Sequence, residues 1–181
     1  PLVISDTLAI TPTWEHFEPK PGQVLIKLDP GMSFGTGQHA TTKSCLASID
    51  RFISELRGKG QKEIAMLDAG SGSGILAIAA RKLGCTRVDA FDIDPDTVGV
   101  ARENAQKNGI ADQELSIAAA SLMEYESDTR YDIVAANILS SALLAGKEKL
   151  LSFCKPGTRL ILAGILDAEY FKVKEAFEAL H

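Results

Sequence analysis

Asp68, Gly70, Gly72 and Gly74 stand at alternate positions in the run Ile-Ala-Met-Leu-Asp-Ala-Gly-Ser-Gly-Ser-Gly that covers residues 64–74. Glycine takes positive φ without steric cost and lets the backbone come close to a ligand. The helical pattern that follows, Ile75-Leu-Ala-Ile-Ala-Ala, points its free N–H groups at whatever occupies the turn. Roughly 20 residues later, the spacing expected of a ribose-binding acid, a second apolar run ends in Phe91-Asp92. Asp92 then reads as a paired acceptor for both ribose hydroxyls. Together the two runs describe a crevice that binds a nucleoside. Asn137 closes another apolar run, where its amide or backbone carbonyl can orient an incoming polar group. His39 is the tempting general base of the chain, but loop packing or helix-entry hydrogen bonding is the simpler reading.

The elements that must hold these residues follow from apolar period and punctuation. Short β-like pieces at residues 2–4, 8–10 and 24–28 are separated by Pro12, Pro19, Pro21 and Gly22 and read as a leading hairpin or arm. A glycine-rich stretch, Gly-Met-Ser-Phe-Gly-Thr-Gly-Gln-His, precedes a helix in which Cys45, Leu46, Ile49, Phe52, Ile53 and Leu56 share a face. Thr41 or Thr42 is the natural cap of that helix. A loop with so many glycines and one phenylalanine reads as a ligand cover. Strands are expected at 64–69, 87–93, 114–119, 131–137 and 158–164. Helices are expected at 74–83, ending at Gly84, at 95–109 capped by Asp94, at 140–153 ended by Lys155-Pro-Gly, and at 168–180. This alternation means a mostly parallel sheet with ligands beyond the strands' carboxyl ends. Residues 1–30 are expected to form an N-terminal β arm or linker, and residues 31–181 one catalytic domain.

Bulk properties narrow the chemistry. The net charge is −5, which argues against direct nucleic-acid binding, because phosphate contacts need a basic surface. No apolar run reaches the ~18 residues of a membrane span. Cys45, Cys85 and Cys154 lack C-x-x-C spacing and fit buried thiols in a reducing cytoplasm rather than a disulfide frame or zinc site; no metal is expected. No phosphate-loop Gly-Lys-Ser/Thr follows the glycines. A nicotinamide fingerprint survives only weakly, from Gly72 through Gly74 to Ala77. The chain opens at Pro1 without an initiator methionine and is expected to be a piece of a longer protein.

Asp68 two residues ahead of the first glycine makes D-x-G-x-G-x-G, a pattern that resembles the class I methyltransferases, which bind S-adenosylmethionine. This implies a Rossmann-like α/β fold: a mostly parallel, doubly wound sheet with helices on both faces. That ligand has no pyrophosphate but carries a sulfonium cation and an amino-acid group. Asp68 then helps hold the ammonium or a water behind it, and Ser121 is the place for an adenine contact. The segments GMSFGTGQHATT, LDAGSGSGILAIAA, FDIDPDTVGVARENAQKNG and VAANIL together resemble the family of methyltransferases of ribosomal protein L-eleven, from about Asp6 onward.

The resemblance implies cofactor contacts at Thr42, Gly70, Asp92 and Asn137, and a lid of Phe34, Gly35 and Gly37 beside the methyl group. Catalytic roles fall on Asn137 and Phe34, and cofactor contacts extend to Asp68, Gly72, Gly74 and Ser121. It further implies N-methylation of lysine side chains or an N-terminal amine of a ribosomal protein, S-adenosylhomocysteine as product, and a cytoplasmic enzyme, most simply a monomer. Asn137-Ile138-Leu139 lacks the prolines and aromatic that stack planar acceptor groups in related enzymes, which favours an aliphatic amine. The family's separate N-terminal recognition domain and two closing strands are missing from the chain, and Gln38 and Ala40 replace an expected threonine and proline. These departures keep two rivals: a methyltransferase of a small molecule or another protein, and a donor-binding module inactive without its recognition domain.

Overall fold

The computed structural model of the chain describes residues 1–29, 39–165 and 169–178. A small sheet comes first. Its strands are β1 (Leu2–Val3), β2 (Leu8–Thr11) and β3 (Val24–Lys27). β1 and β2 pair antiparallel, as a hairpin would, but β3 returns parallel to β2. Leu8, Ile10, Ile26 and Leu28 are buried in the same hydrophobic layer as the helices that follow.

The main sheet has five parallel strands: β4 (Ala65–Ala69), β5 (Arg87–Asp92), β6 (Ser116–Ala119), β7 (Tyr131–Asn137) and β8 (Cys154–Ala163). Their order is β6-β5-β4-β7-β8. The chain therefore starts at the centre, winds outward through β5 and β6, and then crosses to the other side of β4. Connecting helices are α1 (His39–Gly58), α2 (Ile75–Leu83), α3 (Pro95–Lys107), α4 (Ser140–Ala145), α5 (Lys147–Ser152) and α6 (Tyr170–Glu178). Side-chain alternation along the strands sorts them into two layers. Met66, Val88, Ala90, Ile133 and Ala135 pack with α1, α2 and α3, whereas Leu67, Ala69, Phe91, Val134 and Ala136 pack with α4, α5 and α6. No helix among the described residues is long and apolar enough to cross a membrane.

Three boundaries differ from the sequence expectation. Helix α1 already runs at His39, so Thr41 and Thr42 lie inside its first turn instead of capping it. The helix expected over 140–153 breaks at Gly146, where a Cβ would stand 2.3 Å from Leu122 Cδ2; the loop after β6 packs into the room that a missing side chain leaves. Lys155-Pro-Gly does not end a helix but opens β8. A proline is tolerated there because β8 is an edge strand. Thr158 Oγ1 accepts from the Lys155 N–H and donates to the Tyr131 carbonyl, bridging a register shift at that end. Asp94, by contrast, caps α3 as expected, accepting the Asp96 N–H at 2.9 Å, with Pro95 at the first helical position.

At the far end of the sheet, Asp132 ties β4 to β7 and β8. Its carboxylate accepts from the Ala65 N–H and the Gln61 amide and pairs with Lys155 at 3.0 Å. Burial pushes its pKa up, but the Ala65 N–H, Lys155 and Gln61 outweigh burial and hold it below the usual value. A depressed folded pKa means stability that is present above the unfolded value and lost as pH falls through the folded one. Asp132→Ala is expected to cost about 2 kcal/mol at pH 7, since it leaves a buried N–H unpaired. In urea melts the gap from wild type should narrow as pH drops below about 4; a gap constant from pH 7 to pH 3 contradicts the assignment.

Candidate functional site

The strand registers align one row of residues at the carboxyl edge of the sheet. Ala69 stands opposite both Phe91 and Ala136, Asp92 opposite Ala119, and Asn137 opposite Ala163. Gly70, which follows β4, thus falls in line with Asp92 and Asn137, and Ala120 and Gly164 stand one residue beyond that row. The point where strand order reverses lies between β4 and β7, and open α/β sheets bind ligands above such a point. A cavity of about 920 Å³ opens there, within the range of small-molecule sites. Its wall includes Thr41 and Thr42 of α1, the turn from Gly70 to Ser73, Asp92 to Asp94, Ser121, and Asn137 to Leu139.

The turn after β4 is pinned to β5. The Gly70 and Ser71 N–H groups both donate to the Phe91 carbonyl, at 2.9 and 3.1 Å. Gly70 has φ of +77°, and a Cβ there would lie 2.5 Å from the Asn137 carbonyl oxygen and 2.7 Å from Ile138 Cγ2. Both the handedness and the contact with β7 demand glycine. Further on, the Gly72 N–H donates to Asp92 Oδ2 at 2.9 Å, and the Asp94 N–H donates to Asp92 Oδ1 at 3.1 Å. Each carboxylate oxygen of Asp92 is held by one backbone donor and keeps a lone pair for a ligand.

On the opposite wall, Gly164 follows β8 with φ of +76°, and a Cβ there would stand 2.6 Å from Asn137 Oδ1. Gly70 thus packs against the Asn137 backbone carbonyl and Gly164 against its side chain. Gly164 was not singled out from sequence, although a strand reading Thr-Arg-Leu-Ile-Leu-Ala-Gly that ends in glycine is the same signal that marks Gly70. Ser71, Cys45, Ile93 and Leu139 also line the cavity without having been expected to. Ile93 and Leu139 are about three-quarters exposed, at 74% and 76%, and give it an apolar rim.

Of the residues expected at the site, the structure brings together Thr42, Gly70, Gly72, Asp92, Ser121 and Asn137 around one cavity. Two stand behind it. Gly74 lets α2 approach α3: a Cβ would meet that of Ala101 at 3.1 Å. Asp68 is fully buried beneath the turn, facing the α1 and α2 layer. Ser121 is partly engaged already, because its hydroxyl accepts the Glu124 N–H while its own N–H donates to the Glu124 carboxylate. The Ser121 hydroxyl and N–H together hold the Glu124 carboxyl below its usual pKa, so a ligand would compete with Glu124 for that hydroxyl. Phe34, Gly35 and Gly37 lie outside the described residues.

The electrostatics of the wall are one-sided. Asp92, Asp94 and Asp96 line it, and no lysine, arginine or histidine does so among the described residues. Asp68 lies just below; burial pushes its pKa up to about 7, the Ala77 N–H acts in the opposite sense, and the Asp92 charge adds to the rise. That N–H lowers the value without closing an ordinary hydrogen bond, since neither Asp68 oxygen has a partner of bonding geometry. Among the described residues a pyrophosphate placed here would meet carboxylates and no cationic side chain, whereas a cation would be attracted.

A parallel sheet wound from its centre, with a glycine turn facing an acid at the end of the next strand, is the arrangement of the class I methyltransferases. Magnesium protoporphyrin IX methyltransferase from Synechocystis PCC 6803, solved with bound SAH and with bound SAM, shares the fold at a TM-score of 0.56 and 21% identity, covering 84% and 82% of this chain and 69% and 74% of that one. The chain belongs to the ribosomal protein L11 methyltransferase (PrmA) family, whose family model matches residues 1–181. It is similar to the crystal structure of ribosomal protein L11 methylase from Lactobacillus delbrueckii subsp. bulgaricus, with 36% identity and a TM-score of 0.83 over 98% of this chain and 86% of that one. Curated relatives named ribosomal protein L11 methyltransferase include those of Desulforapulum autotrophicum, 43% identical over 97% of this chain and 55% of the relative, and Geobacter metallireducens, 45% identical over 92% and 51%. The chain therefore spans about half the length of these relatives.

The two glycines of the turn should respond differently to a methyl group. Gly72→Ala meets nothing within 4 Å and is expected to cost about 1–2 kcal/mol for left-handed backbone alone. Gly70→Ala adds a collision with the β7 backbone, and total loss should reach about 3 kcal/mol or more. Equal midpoint shifts in urea denaturation would show that the contact between Gly70 and Asn137 carries no weight.

Proposed function

We propose that this chain is the S-adenosylmethionine-binding, catalytic part of an N-methyltransferase that acts on amino groups, lysine side chains or an N-terminal amine, of a ribosomal protein of the large subunit. The names of its relatives support the acceptor class. The observation that carries the donor class is the Asp92 carboxylate, fixed by two backbone N–H groups at the edge of a cavity whose charged lining is acidic throughout the described residues. A nucleoside sugar needs such a paired acceptor, and a cationic ligand suits such a wall.

The residues present fit the donor. Asp92 takes the ribose hydroxyls, Ile93 offers the base an apolar surface, and the Ser121 hydroxyl turns from Glu124 to the ligand. Gly70, Gly72, Ser71 and Thr42 surround the place for the amino-acid tail. Ser71 is nearly buried, and its hydroxyl has no partner among the described residues. Bound, the donor supplies an electrophilic methyl on a positively charged sulfur. The protein's own work is alignment and exclusion of water. Asn137, wedged against Gly70 and Gly164, is the group at the β7 end that orients the acceptor amine through its carbonyl oxygens. The amine has to lose a proton whose reference pKa is near 10.4 before it can attack, and a low-dielectric site lowers that value. Phe34, with Gly35 and Gly37, is assigned the cover beside the methyl on the strength of the family resemblance.

The same reading places the enzyme in the cytoplasm as a monomer, with a protein acceptor and no direct contact to nucleic acid. Its test separates donor from acceptor. S-adenosylhomocysteine at ~100 times its dissociation constant should stabilise wild type by about 2.7 kcal/mol. At the same concentration Asp92→Ala should lose most of that gain, as removal of a charge-assisted acceptor weakens binding by roughly 10- to 100-fold. Undiminished stabilisation of the variant removes Asp92 from the ribose. Transfer of labelled methyl to large-subunit ribosomal protein, and not to a metabolite extract, checks the acceptor.

A further inference from the structure

Buried carboxylates elsewhere in the described fold have partners. Asp89 accepts from Tyr131 and Arg87, Asp132 from Ala65, Gln61 and Lys155, and Asp50 from Ser5 and Thr7. Asp68 is the exception in this set: it is fully buried, and both its oxygens lack a hydrogen-bond partner. It sits two residues before Gly70 on the cavity wall, and the Ser71 hydroxyl on the other side of Gly70 is unpartnered too. Among the described residues the groups that face it are few. Helix α1 brings the Cys45 thiol, β5 brings Ala90 in register and the Asp92 charge beyond it, β7 brings Ala135, and α2 brings the Ala77 N–H. None is a cation. A lone carboxylate in such surroundings prefers its neutral acid form.

We propose that Asp68 is a counter-charge held for a fixed cation in the adjoining cavity, so that arrival of a positively charged ligand converts the Asp68 carboxylic acid to carboxylate and releases its proton to solvent. The inference rests on the donor reading above and deepens it: binding is coupled to proton release, and the protein prefers ligands that carry positive charge. The O–H bond of Asp68 breaks, its electron pair stays on the carboxylate oxygen, and the proton passes to buffer. The free protein avoids a bare buried anion, and the bound state gains a compensated ion pair. The cation is either the ligand's ammonium or its sulfonium, and ligand choice separates the two.

Calorimetry at pH 7 in buffers of different ionisation enthalpy counts the protons released per ligand bound. With Asp68 titrating near 7, S-adenosylmethionine should release up to about half a proton more from wild type than from Asp68→Asn. Adenosine, which has neither cation, should release none. Equal release by S-adenosylmethionine and S-adenosylhomocysteine assigns the coupling to the ammonium, and an excess with the former assigns it to the sulfonium. The inference is overturned if adenosine releases as many protons, or if the release persists in Asp68→Asn. Absence of binding by all three ligands defeats the donor reading itself, a separate result.

Two further measurements do not need a liganded variant. An acid whose folded pKa is raised contributes stability that is lost as pH rises from the unfolded value to the folded one. Unliganded Asp68→Asn should therefore gain on wild type between about pH 4 and pH 7, and parallel curves overturn the assignment. Should that variant not fold, wild type alone decides. The ligand's own amine takes up a proton when bound as ammonium, so net release near pH 7 supports Asp68, and net uptake there refutes it.

Discussion

The contact between the Gly70 turn and the β7 backbone is the constraint on which the site depends. Two N–H groups of that turn share the Phe91 carbonyl, which fastens β4 to β5. On the other side the same turn lies so near the Asn137 carbonyl that no Cβ fits between them. One short segment therefore fixes the spacing of three strand ends. The Asp92 carboxylate closes the cavity on one side, and the Asn137 amide, packed against Gly164, faces it on the other. Precision of this kind is what an alignment-limited reaction requires. Hydrogen bonds from Gly72 and Asp94 to the two Asp92 oxygens extend it to the atoms that would meet a sugar.

The electrostatic design works against folding and for binding. Four aspartates, at 68, 92, 94 and 96, crowd one end of the sheet. Asp94 is relieved by capping α3, where the helix N-terminus welcomes negative charge, and Asp92 by its two backbone donors. Asp68 has only the Ala77 N–H nearby, which lowers its pKa without closing a hydrogen bond. A protein built for stability alone would place a leucine or alanine here, as at Leu67 and Ala69 on the other face of the same strand. The cost is tolerable because the surrounding layer is otherwise continuous apolar core from β2 to α3, and because the acid can stay neutral.

Much of this was legible in the sequence. Periodicity and glycine placement located the central strands, the acid ends of β4 and β5, and the Asn137 end of β7, because buried parallel strands leave little choice of residue. Asp94 followed by Pro95 announced its helix start. What escaped notice depended on contacts between distant segments. The break at Gly146 answers to Leu122, which approaches from the loop after β6, and nothing within the helix foretells it. The proline of β8 looked like a helix stop, since only the strand order reveals that β8 is an edge. Gly74 counted among ligand contacts by spacing, yet its neighbour in space is Ala101. The pattern D-x-G-x-G-x-G thus mixes two kinds of packing requirement, the turn against β7 at Gly70 and α2 against α3 at Gly74, and spacing alone does not separate them.

The cavity wall is assembled from segments that are far apart in the chain: the start of α1, the turns after β4 and β5, and the ends of β6, β7 and β8. A ligand that spans them would add its binding energy to the cohesion of the carboxyl edge of the sheet. The N-terminal sheet works at the other boundary, where Leu8, Ile10, Ile26 and Leu28 close the layer that holds α1 in place. Helix α1 carries Thr41, Thr42 and Cys45 onto the wall and Leu46, Ile49 and Ile53 into that layer. Its position couples the small sheet to the site, so those first strands shape the cavity although none of their residues lines it.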